Sequence, residues 1–386
     1  MQLGLVDAAH TGSSGGQYNN FRKANASGQI IGTTVRPAAA GGNSSWIWRP
    51  SFGTTAIGLT SAEYTGSSGY RASRSVFFTD KGDVAGESDR VTGVRTNLGR
   101  DTWVWTEATG TVRTGLVGAD YTRVDGYRTS AAQFLSNGGL AAGKTQRLIA
   151  ATGEDNGSDT WVWSAATGNV QIGISSPQHR GSGGYQFSQI SSFRESGSVL
   201  GFSKRIRNAS DSNGQNAWYW SASTGTVPMG LDGPGYISTS GLQFSGPFQG
   251  MTVLGQYEYG YSGRVQPSGV GLGTAPWVWS LTGGTTRIGL TGGSYRRASG
   301  YEYSDITYAE GTGFAYGWAD RYRASDVSNG RDTWAWSPST GTVRIGLAGP
   351  AFTNANGFQY SEVVFRANSG ALIGSTYHLP AADAVN

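Results

Sequence analysis

A pair of tryptophans separated by one residue returns every 57 to 59 residues and constrains the fold of this chain more than any other feature. The phrase DTWVWTEATGTVRTGL at 101–116 comes back as DTWAWSPSTGTVRIGL at 332–347. A Gly-Leu or Gly-Ile pair keeps the same register seven times. A tandem repeat is the simplest explanation. The paired tryptophans are Trp46/Trp48, Trp103/Trp105, Trp161/Trp163, Trp218/Trp220, Trp277/Trp279 and Trp334/Trp336.

Each repeat divides into four strand-like pieces, of which the Thr-Trp-x-Trp segment is the third and the Gly-Leu segment the fourth. A Thr-Gly turn such as Thr109-Gly110 joins these two pieces and suits a tight hairpin loop. Four short antiparallel strands repeated about seven times predict an all-β fold, a seven-bladed β-propeller. A linear solenoid is the alternative. The predicted single domain, 1–386, has units near 1–56, 57–113, 114–171, 172–228, 229–287, 288–344 and 345–386.

The two chain ends do not complete the repeat count. Residues 1–5 look like a fourth strand, and the last unit shows only two strands before the tail 382–386. We therefore expect the N-terminal strand to close the ring against the last unit. Either that last blade is degenerate, or the chain ends before the blade is complete.

Composition agrees with an all-β chain. Glycine accounts for 62 of the 386 residues and aromatics for 12%, which favours short strands joined by tight turns. No window shows a helical period. The chain has no cysteine, so disulfides and thiolate metal sites are excluded.

The paired tryptophans are predicted to be core that holds neighbouring blades together. The residue between them is apolar in every repeat, which is typical of strands buried on both faces. Trp318 stands apart, because the other repeats place Thr, Glu, Lys, Phe, Gln or Ser at its position. We expect so variable a position to be exposed, and Trp318 is therefore the candidate for stacking on a ligand.

Arginines recur four residues after a glycine of the second strand. The residue two before the first tryptophan is often acidic, and the two positions should face each other across a hairpin. A cross-strand ion pair is the favoured interpretation, and a ring of arginines that binds an anionic ligand is the alternative. Repeat five carries Tyr259 and Ala275 at these positions. The arginines are Arg36, Arg90, Arg147, Arg205 and Arg321, and the acids are Asp101, Asp159 and Asp332.

Few features point to chemistry. The polar loops, such as 154–159, could hold calcium but are better explained as solvated turns, so no cofactor is predicted. The three histidines lie far apart, and no catalytic motif occurs. The 25 arginines and four lysines are spread singly, which disfavours nucleic acid. No apolar run is long enough to span a membrane.

The repeats resemble those of bacterial extracellular repeat proteins of the HAF type. In that group a segment like NSGALIG at 368–374 precedes an aromatic-x-Trp strand and a Gly-Leu ending. This resemblance implies a secreted or cell-surface protein and supplies no catalytic residues. The leading hypothesis is a monomeric, non-enzymatic module that binds or displays a carbohydrate or protein ligand, most concretely a lectin. A structural or engineered scaffold without a ligand and a hydrolase or lyase with a channel site are the alternatives.

Overall fold

The computed structural model describes residues 3–37, 40–249, 251–253, 255–323, 326–367 and 369–378. These residues form 27 strands and five short 3-10 helices. The chain divides into two compact units, Met1–Leu200 with Trp220–Thr226 and Gly201–Tyr219 with Val227–Asn386. The predicted single domain stays a prediction. Among the described residues, no helix has the length and apolar character needed to cross a membrane.

The strands follow the predicted repeat. Repeat one contains β1 (Asn19–Ala24), β2 (Ile30–Val35), β3 (Gly42–Arg49) and β4 (Gly53–Ile57), and repeat two contains β5 (Arg71–Phe78), β6 (Val84–Thr92), β7 (Thr96–Thr106) and β8 (Gly110–Thr114). Repeat three contains β9 (Arg128–Leu135), β10 (Ala141–Leu148), β11 (Asp155–Ser164) and β12 (Gly168–Ile172), and repeat four contains β13 (Gln186–Phe193), β14 (Val199–Ile206), β15 (Ser212–Ser221) and β16 (Gly225–Met229).

Repeats five and seven depart from the four-strand plan, whereas repeat six keeps it. Repeat five contains β17 (Gln243–Pro247), β18 (Met251–Val253), β19 (Tyr257–Val265), β20 (Gly271–Ser280) and β21 (Gly284–Arg287). Repeat six contains β22 (Glu302–Glu310), β23 (Phe314–Tyr322), β24 (Ser328–Ser337) and β25 (Gly341–Arg344), and repeat seven contains β26 (Gln359–Arg366) and β27 (Leu372–Thr376). The 3-10 helices lie between repeats, at Ala8–His10, Ala62–Tyr64, Pro177–His179, Gly293–Tyr295 and Pro350–Phe352.

Antiparallel hairpins build each repeat, and a short parallel pairing joins it to the next. In repeat three, β10 pairs with β9 and β11, and β11 pairs with β12. The start of β11 then pairs in parallel with β13, through Gly157 opposite Gln186 and Ser158 opposite Phe187. Equivalent parallel pairings start at Gly42, Gly99, Gly214, Gly273 and Gly330.

The glycine at this junction is required by close backbone contact. Gly157 has φ +95°, and a Cβ atom there would lie 1.9 Å from the carbonyl oxygen of Gln186. Only glycine adopts this conformation and allows this approach without strain. Each repeat has a glycine four residues before its first tryptophan, and these glycines are what allow successive repeats to share hydrogen bonds.

These junctions overturn the predicted β-propeller. The 27 strands belong to one continuous hydrogen-bonded sheet, whereas a propeller of seven blades has separate sheets. The all-β class is confirmed, and the seven-bladed propeller closed by an N-terminal strand is wrong. Met1, Gln2 and 382–386, on which the predicted closure depends, lie outside the described residues. Leu5 is not in a strand, and its backbone N–H donates to Thr34 Oγ1 at 3.0 Å within repeat one.

The first tryptophan of each pair is at most 1% exposed and lies where a core role requires it. Its indole packs on the glycine of the second strand. A Cβ on Gly143 would lie 2.5 Å from Cζ2 of Trp161, and the same contact joins Gly32 to Trp46, Gly86 to Trp103, Gly260 to Trp277 and Gly317 to Trp334.

The second tryptophan of each pair is less uniformly buried than the first. Trp48 is only half-buried, although the sequence pattern predicted all twelve indoles to be core. The other five are 3–7% exposed, so that each retains a small accessible surface that the first indole lacks. These five are Trp105, Trp163, Trp220, Trp279 and Trp336.

The contacts of the second tryptophans correct their predicted role between separate blades. Trp336 of repeat six packs edge-on against Tyr257 and Tyr259 of repeat five, with ring centroids 5.7 and 6.0 Å apart. Trp279 of repeat five lies on Tyr219 of repeat four, with ring centroids 5.0 Å apart at a tilt of 35°. Each indole therefore contacts the preceding repeat of the same continuous sheet.

The same correction applies to the second tryptophans of repeats two and three. Trp105 shares a core cluster with Ile47 of repeat one, and the Arg49 guanidinium lies 5.3 Å from its ring centroid. Trp163 shares a core cluster with Val104 of repeat two. Trp105, Trp163, Trp279 and Trp336 therefore pack between successive repeats of one sheet, and only the separate propeller blades of that prediction are wrong.

The packing of the first tryptophan corrects the register predicted for repeat five. Gly260 lies against Trp277, so the arginine four residues later is Arg264. The prediction that Tyr259 replaces the arginine of this repeat is therefore wrong. Tyr259 is instead a core residue, 1% exposed.

Candidate functional site

The predicted arginine and aspartate pairs meet in repeats two, three and six, where a tyrosine also donates to the acid. Asp159 is fully buried and accepts hydrogen bonds from Arg147 Nη1 and Tyr121 Oη, each at 2.7 Å. Asp332 accepts in the same way from Arg321 at 2.6 Å and Tyr295 at 2.7 Å. The recurring aromatic residue between repeats is therefore a hydrogen-bond donor to the buried acid.

Asp101 of repeat two belongs to a cluster of four charged side chains. Arg128 donates to its two carboxylate oxygens at 2.8 and 2.6 Å, Arg90 donates at 3.2 Å, and Tyr64 donates at 2.5 Å. Glu63 also pairs with Arg90. Burial alone would raise the pKa of Asp101, but the hydrogen bonds and charges of these partners lower it below its ordinary value.

In repeat five the acid has moved to another strand. Ala275 replaces the aspartate, and Arg264 pairs instead with Glu302 of the next repeat, at 3.2 Å. Glu302 is 2% exposed and also contacts Arg287 and Arg296. A buried guanidinium needs a carboxylate beside it, and this carboxylate can come from the third strand of the same repeat or from the first strand of the next repeat.

The predicted ligand-binding arginines are mostly buried. Arg36, Arg90 and Arg147 are 8%, 7% and 3% exposed. Arg205 donates to Asn216 Oδ1 at 3.1 Å and to the Gly241 carbonyl at 3.0 Å. Anion binding by these arginines stays a prediction, and their burial favours the structural interpretation.

Trp318 is half-buried, contrary to the exposed position expected from its variability. The Arg331 guanidinium lies 3.5 Å from its ring centroid, and the Tyr303 ring lies 5.4 Å away at a tilt of 31°. Protein side chains thus occupy space beside the indole that a ligand would need. Ligand stacking on Trp318 stays a prediction, and this contact favours a packing role.

An open groove lies in repeat three, at the position that Trp318 holds in repeat six. Its volume is about 310 Å³. It lies where β9, β10 and β11 meet the start of β13. We call the second-strand glycine under the first indole of each repeat the packing glycine, which is Gly143 in repeat three and Gly317 in repeat six. Lys144 and Trp318 each follow this glycine by one residue. The lining is Thr129, Ser130, Ala131, Lys144, Gln146, Asp155, Gly157, Ser158, Tyr185 and Phe187.

The groove combines two aromatic rings with polar groups of several kinds. Lys144 and Asp155 are exposed, and Tyr185 and Phe187 are half-buried. One Asp155 oxygen accepts hydrogen bonds from the Gly157 backbone at 3.1 Å and from Gln146 Nε2 at 3.3 Å. Burial first, and then the Asp155 charge, raises the pKa of Tyr185. Donors and acceptors therefore surround an apolar floor.

The groove is open because small residues stand where repeat six has large ones. Ser158 occupies the register position of Arg331, and Thr129 that of Tyr303. In repeat six the two large side chains pack with Trp318. In repeat two, Glu87 replaces Lys144 and is held by Arg74 and Arg100 at 3.0 Å each.

The sequence alone indicates only one of the residues that line the groove. Lys144 belongs to the position that varies most between repeats, yet only the aromatic copy at that position was identified as a site candidate. Tyr185 and Phe187 look like ordinary strand residues, and nothing in the sequence places them beside Lys144. That proximity depends on the parallel junction at Gly157.

No arrangement in the described part of the chain resembles a metal centre. Groups of three or more histidine, aspartate or glutamate side chains that could hold an ion are not found among those residues. His10 contacts Asp7 at 2.6 Å and Ser44 at 2.9 Å, and His179 contacts Ser176 at 2.8 Å. The calcium alternative gains no support.

No protein-family model matches this sequence, and no curated protein matches it. Solved structures with a similar course of the chain include Porphyromonas gingivalis dipeptidyl peptidase 4, at 9% identity and a TM-score of 0.38 over 91% of this chain. This chain matches only 49% of that peptidase, about half its length.

Two further structures are similar over most of their own length. Aleuria aurantia lectin in complex with Fucα1-6GlcNAc has 9% identity and a TM-score of 0.24, covering 86% of this chain and 94% of the lectin. The β-propeller domain of the Trilobed protease from Pyrococcus furiosus has 7% identity and a TM-score of 0.29, and the match covers 86% of this chain and 96% of that domain. At these scores none of them assigns a function to this chain.

Proposed function

We propose that this chain is a non-enzymatic binding module that takes a carbohydrate ligand in the groove of repeat three. The observation that carries the proposal is the lining of that groove, where Tyr185 and Phe187 lie among Lys144, Gln146 and Asp155. Ligand sites are typically concave and largely apolar with a few placed polar groups. An extracytoplasmic location is supported by the resemblance of the repeats.

A sugar ring matches both kinds of surface. Its C–H face can pack on aromatic rings, and its hydroxyls can donate to a carboxylate or accept from an ammonium or amide group. The cavity lies near the lower end of the usual range for ligand pockets, roughly 300–1,000 Å³. It therefore suits a terminal sugar of a glycan better than a long polysaccharide segment.

The charge of the lining favours binding over hydrolysis. Most glycoside hydrolases use a pair of carboxylates that flank the scissile bond. The groove is lined by one carboxylate, Asp155, and that group is already engaged by Gly157 and Gln146. We therefore propose a lectin-like role without turnover.

Replacing Lys144 by alanine is expected to weaken glycan binding at least about tenfold, because a charged hydrogen bond contributes roughly 1.5–3 kcal/mol. The wild-type chain is first screened on a broad glycan array, and the best ligand is then titrated by calorimetry. Lys144 is exposed, so the substitution should leave the thermal midpoint unchanged.

Lys81→Ala is the matched control, because Lys81 is also an exposed lysine but does not line the groove. Its affinity should equal that of the wild type. An array without signal would contradict the proposed function and favour a scaffold role. Equal losses in the two variants would show a nonspecific charge effect and contradict binding in the groove.

A further inference from the structure

Repeat seven exposes apolar residues whose counterparts are buried in the other repeats. Ile373 on β27 is 56% exposed, whereas the same position is 0% exposed at Ala85 and Ala142 and 5% at Leu200. Ile345, just after β25, is 38% exposed, whereas its counterparts Ile57, Ile172 and Ile288 are 1–3% exposed. In the other repeats the Thr-Trp-x-Trp strand covers both positions.

A cavity lies beside these residues. Its volume is about 340 Å³, and it is lined by residues of β26, β27 and the segment after β25, among them Gly346, Ser361, Val363 and Gly374. Gly374 is the packing glycine of this repeat. A Cβ atom there would meet the Glu362 backbone at 2.2 Å, and no indole is among its nearest neighbours in the described structure.

Repeat six shows what fills the same space elsewhere. Trp334 is fully buried against Gly317, and its Nε1 donates to Ser304 Oγ at 3.0 Å. Ser361 holds the register position of Ser304, since each lies opposite the residue two after the packing glycine. A hydroxyl oxygen offers two acceptor lone pairs. Ser361 can thus accept from the Thr333 backbone, as it does at 3.0 Å, and from an indole as well.

We propose that this part of repeat seven is a docking site for an extended Asp-Thr-Trp-x-Trp segment of another polypeptide. The first tryptophan enters the cavity over Gly374. The backbone adds a strand to the edge of β27 that has no partner strand in the described structure. Strand addition of this kind takes affinity from main-chain hydrogen bonds and specificity from side-chain pockets.

The chain itself defines the chemistry of the occupant. The same interface between second and third strands is built inside repeats one, two, three, five and six, so the docking surface continues an interface that this protein already uses. His378 holds the position of Arg321, which binds Asp332 at 2.6 Å in repeat six. An aspartate two residues before the incoming tryptophan would therefore lie beside His378, whose ring N–H can donate a hydrogen bond to a carboxylate.

The test is binding of a labelled peptide with the sequence of residues 99–116, measured by fluorescence anisotropy with the full chain. We expect saturable binding, and we expect the peptide with Trp103→Ala to bind at least about tenfold more weakly, because a buried aromatic anchor dominates such contacts. The protein variant Ile373→Lys should weaken binding to a similar extent. Val270→Lys, at a site 57% exposed, is the matched control and should bind normally.

Several results would overturn this proposal. They are the absence of binding, equal affinity of the two peptides, or equal losses in the two protein variants. Binding only by a variant that ends at His378 would assign the surface to residues 379–386 of the same chain. Self-association abolished by Ile373→Lys would assign it to a second copy. The outcome does not depend on the glycan groove, which shares no residue with this surface.

Discussion

Replacing Trp161 by alanine is expected to lower the free energy of unfolding by about 3–5 kcal/mol, because it removes a fully buried indole and leaves a cavity. Trp161 is 0% exposed and packs with Val104, Ala132 and Ala141 of two neighbouring repeats. Its six-membered ring also lies over Gly143. Urea denaturation followed by tryptophan fluorescence and circular dichroism measures the change.

Trp48→Ala provides the matched control, because Trp48 belongs to the same kind of pair but is only half-buried. Trp48→Ala should lower the free energy of unfolding clearly less than Trp161→Ala does. Equal losses, or a loss below about 1 kcal/mol for Trp161→Ala, would contradict the core role of the first tryptophan in each repeat.

Replacing Asp101 by asparagine is expected to lower the free energy of unfolding by about 3–5 kcal/mol, because it leaves buried guanidinium groups without their carboxylate. Asp101 is 2% exposed and is paired with Arg90 and Arg128. Asp125→Asn is the control. It breaks the exposed pair between Arg123 and Asp125, and such pairs contribute about 0–1 kcal/mol.

The same variant should change how stability depends on pH. Burial would raise the pKa of Asp101, but its arginine and tyrosine partners lower it below the ordinary value of 3.8. The stability contributed by this group is therefore fully present above pH 3.8 and is lost as the pH falls through the lower folded-state pKa. Denaturation at a series of pH values should show less acid loss in the asparagine variant. Identical slopes in wild type and variant would contradict the assignment.

The repeat, its hairpins and its core could be predicted from local patterns. Thr-Trp-x-Trp and Gly-Leu segments have a fixed spacing, and a Thr-Gly turn between them leaves little alternative to a hairpin. The pairing of Arg147 with Asp159 followed from comparing copies within one chain, because facing positions across a hairpin are set by register. In each case the interacting residues are close in sequence.

The errors arose where contacts connect different repeats. A glycine four residues before each first tryptophan, such as Gly157, was visible in every copy, but its use in a parallel junction depends on the neighbouring repeat. The predicted propeller failed for that reason. In repeat five, an irregular first hairpin with the extra strand β18 displaces the second strand in sequence. Gly260 therefore takes the place that the Gly-x-x-x-Arg pattern predicts for Gly255, four residues before Tyr259.

The candidate site depended on the same junctions. Variation between copies draws attention to the position that Lys144 and Trp318 share, but it favours the large aromatic copy over the lysine. The structure shows why size is misleading here. Trp318 packs with Arg331 and Tyr303, whereas Lys144 stands beside Thr129 and Ser158, and the smaller neighbours leave the groove open.

The most direct test of the central claim is glycan affinity after Ser158→Arg, which gives repeat three the residue that helps to fill the same place in repeat six. Ser158 lines the groove, and an arginine there should pack on its aromatic wall and occupy the cavity. We predict a loss of affinity of at least about tenfold at an unchanged thermal midpoint. Unaltered affinity in a folded variant would contradict the claim that repeat three holds the ligand.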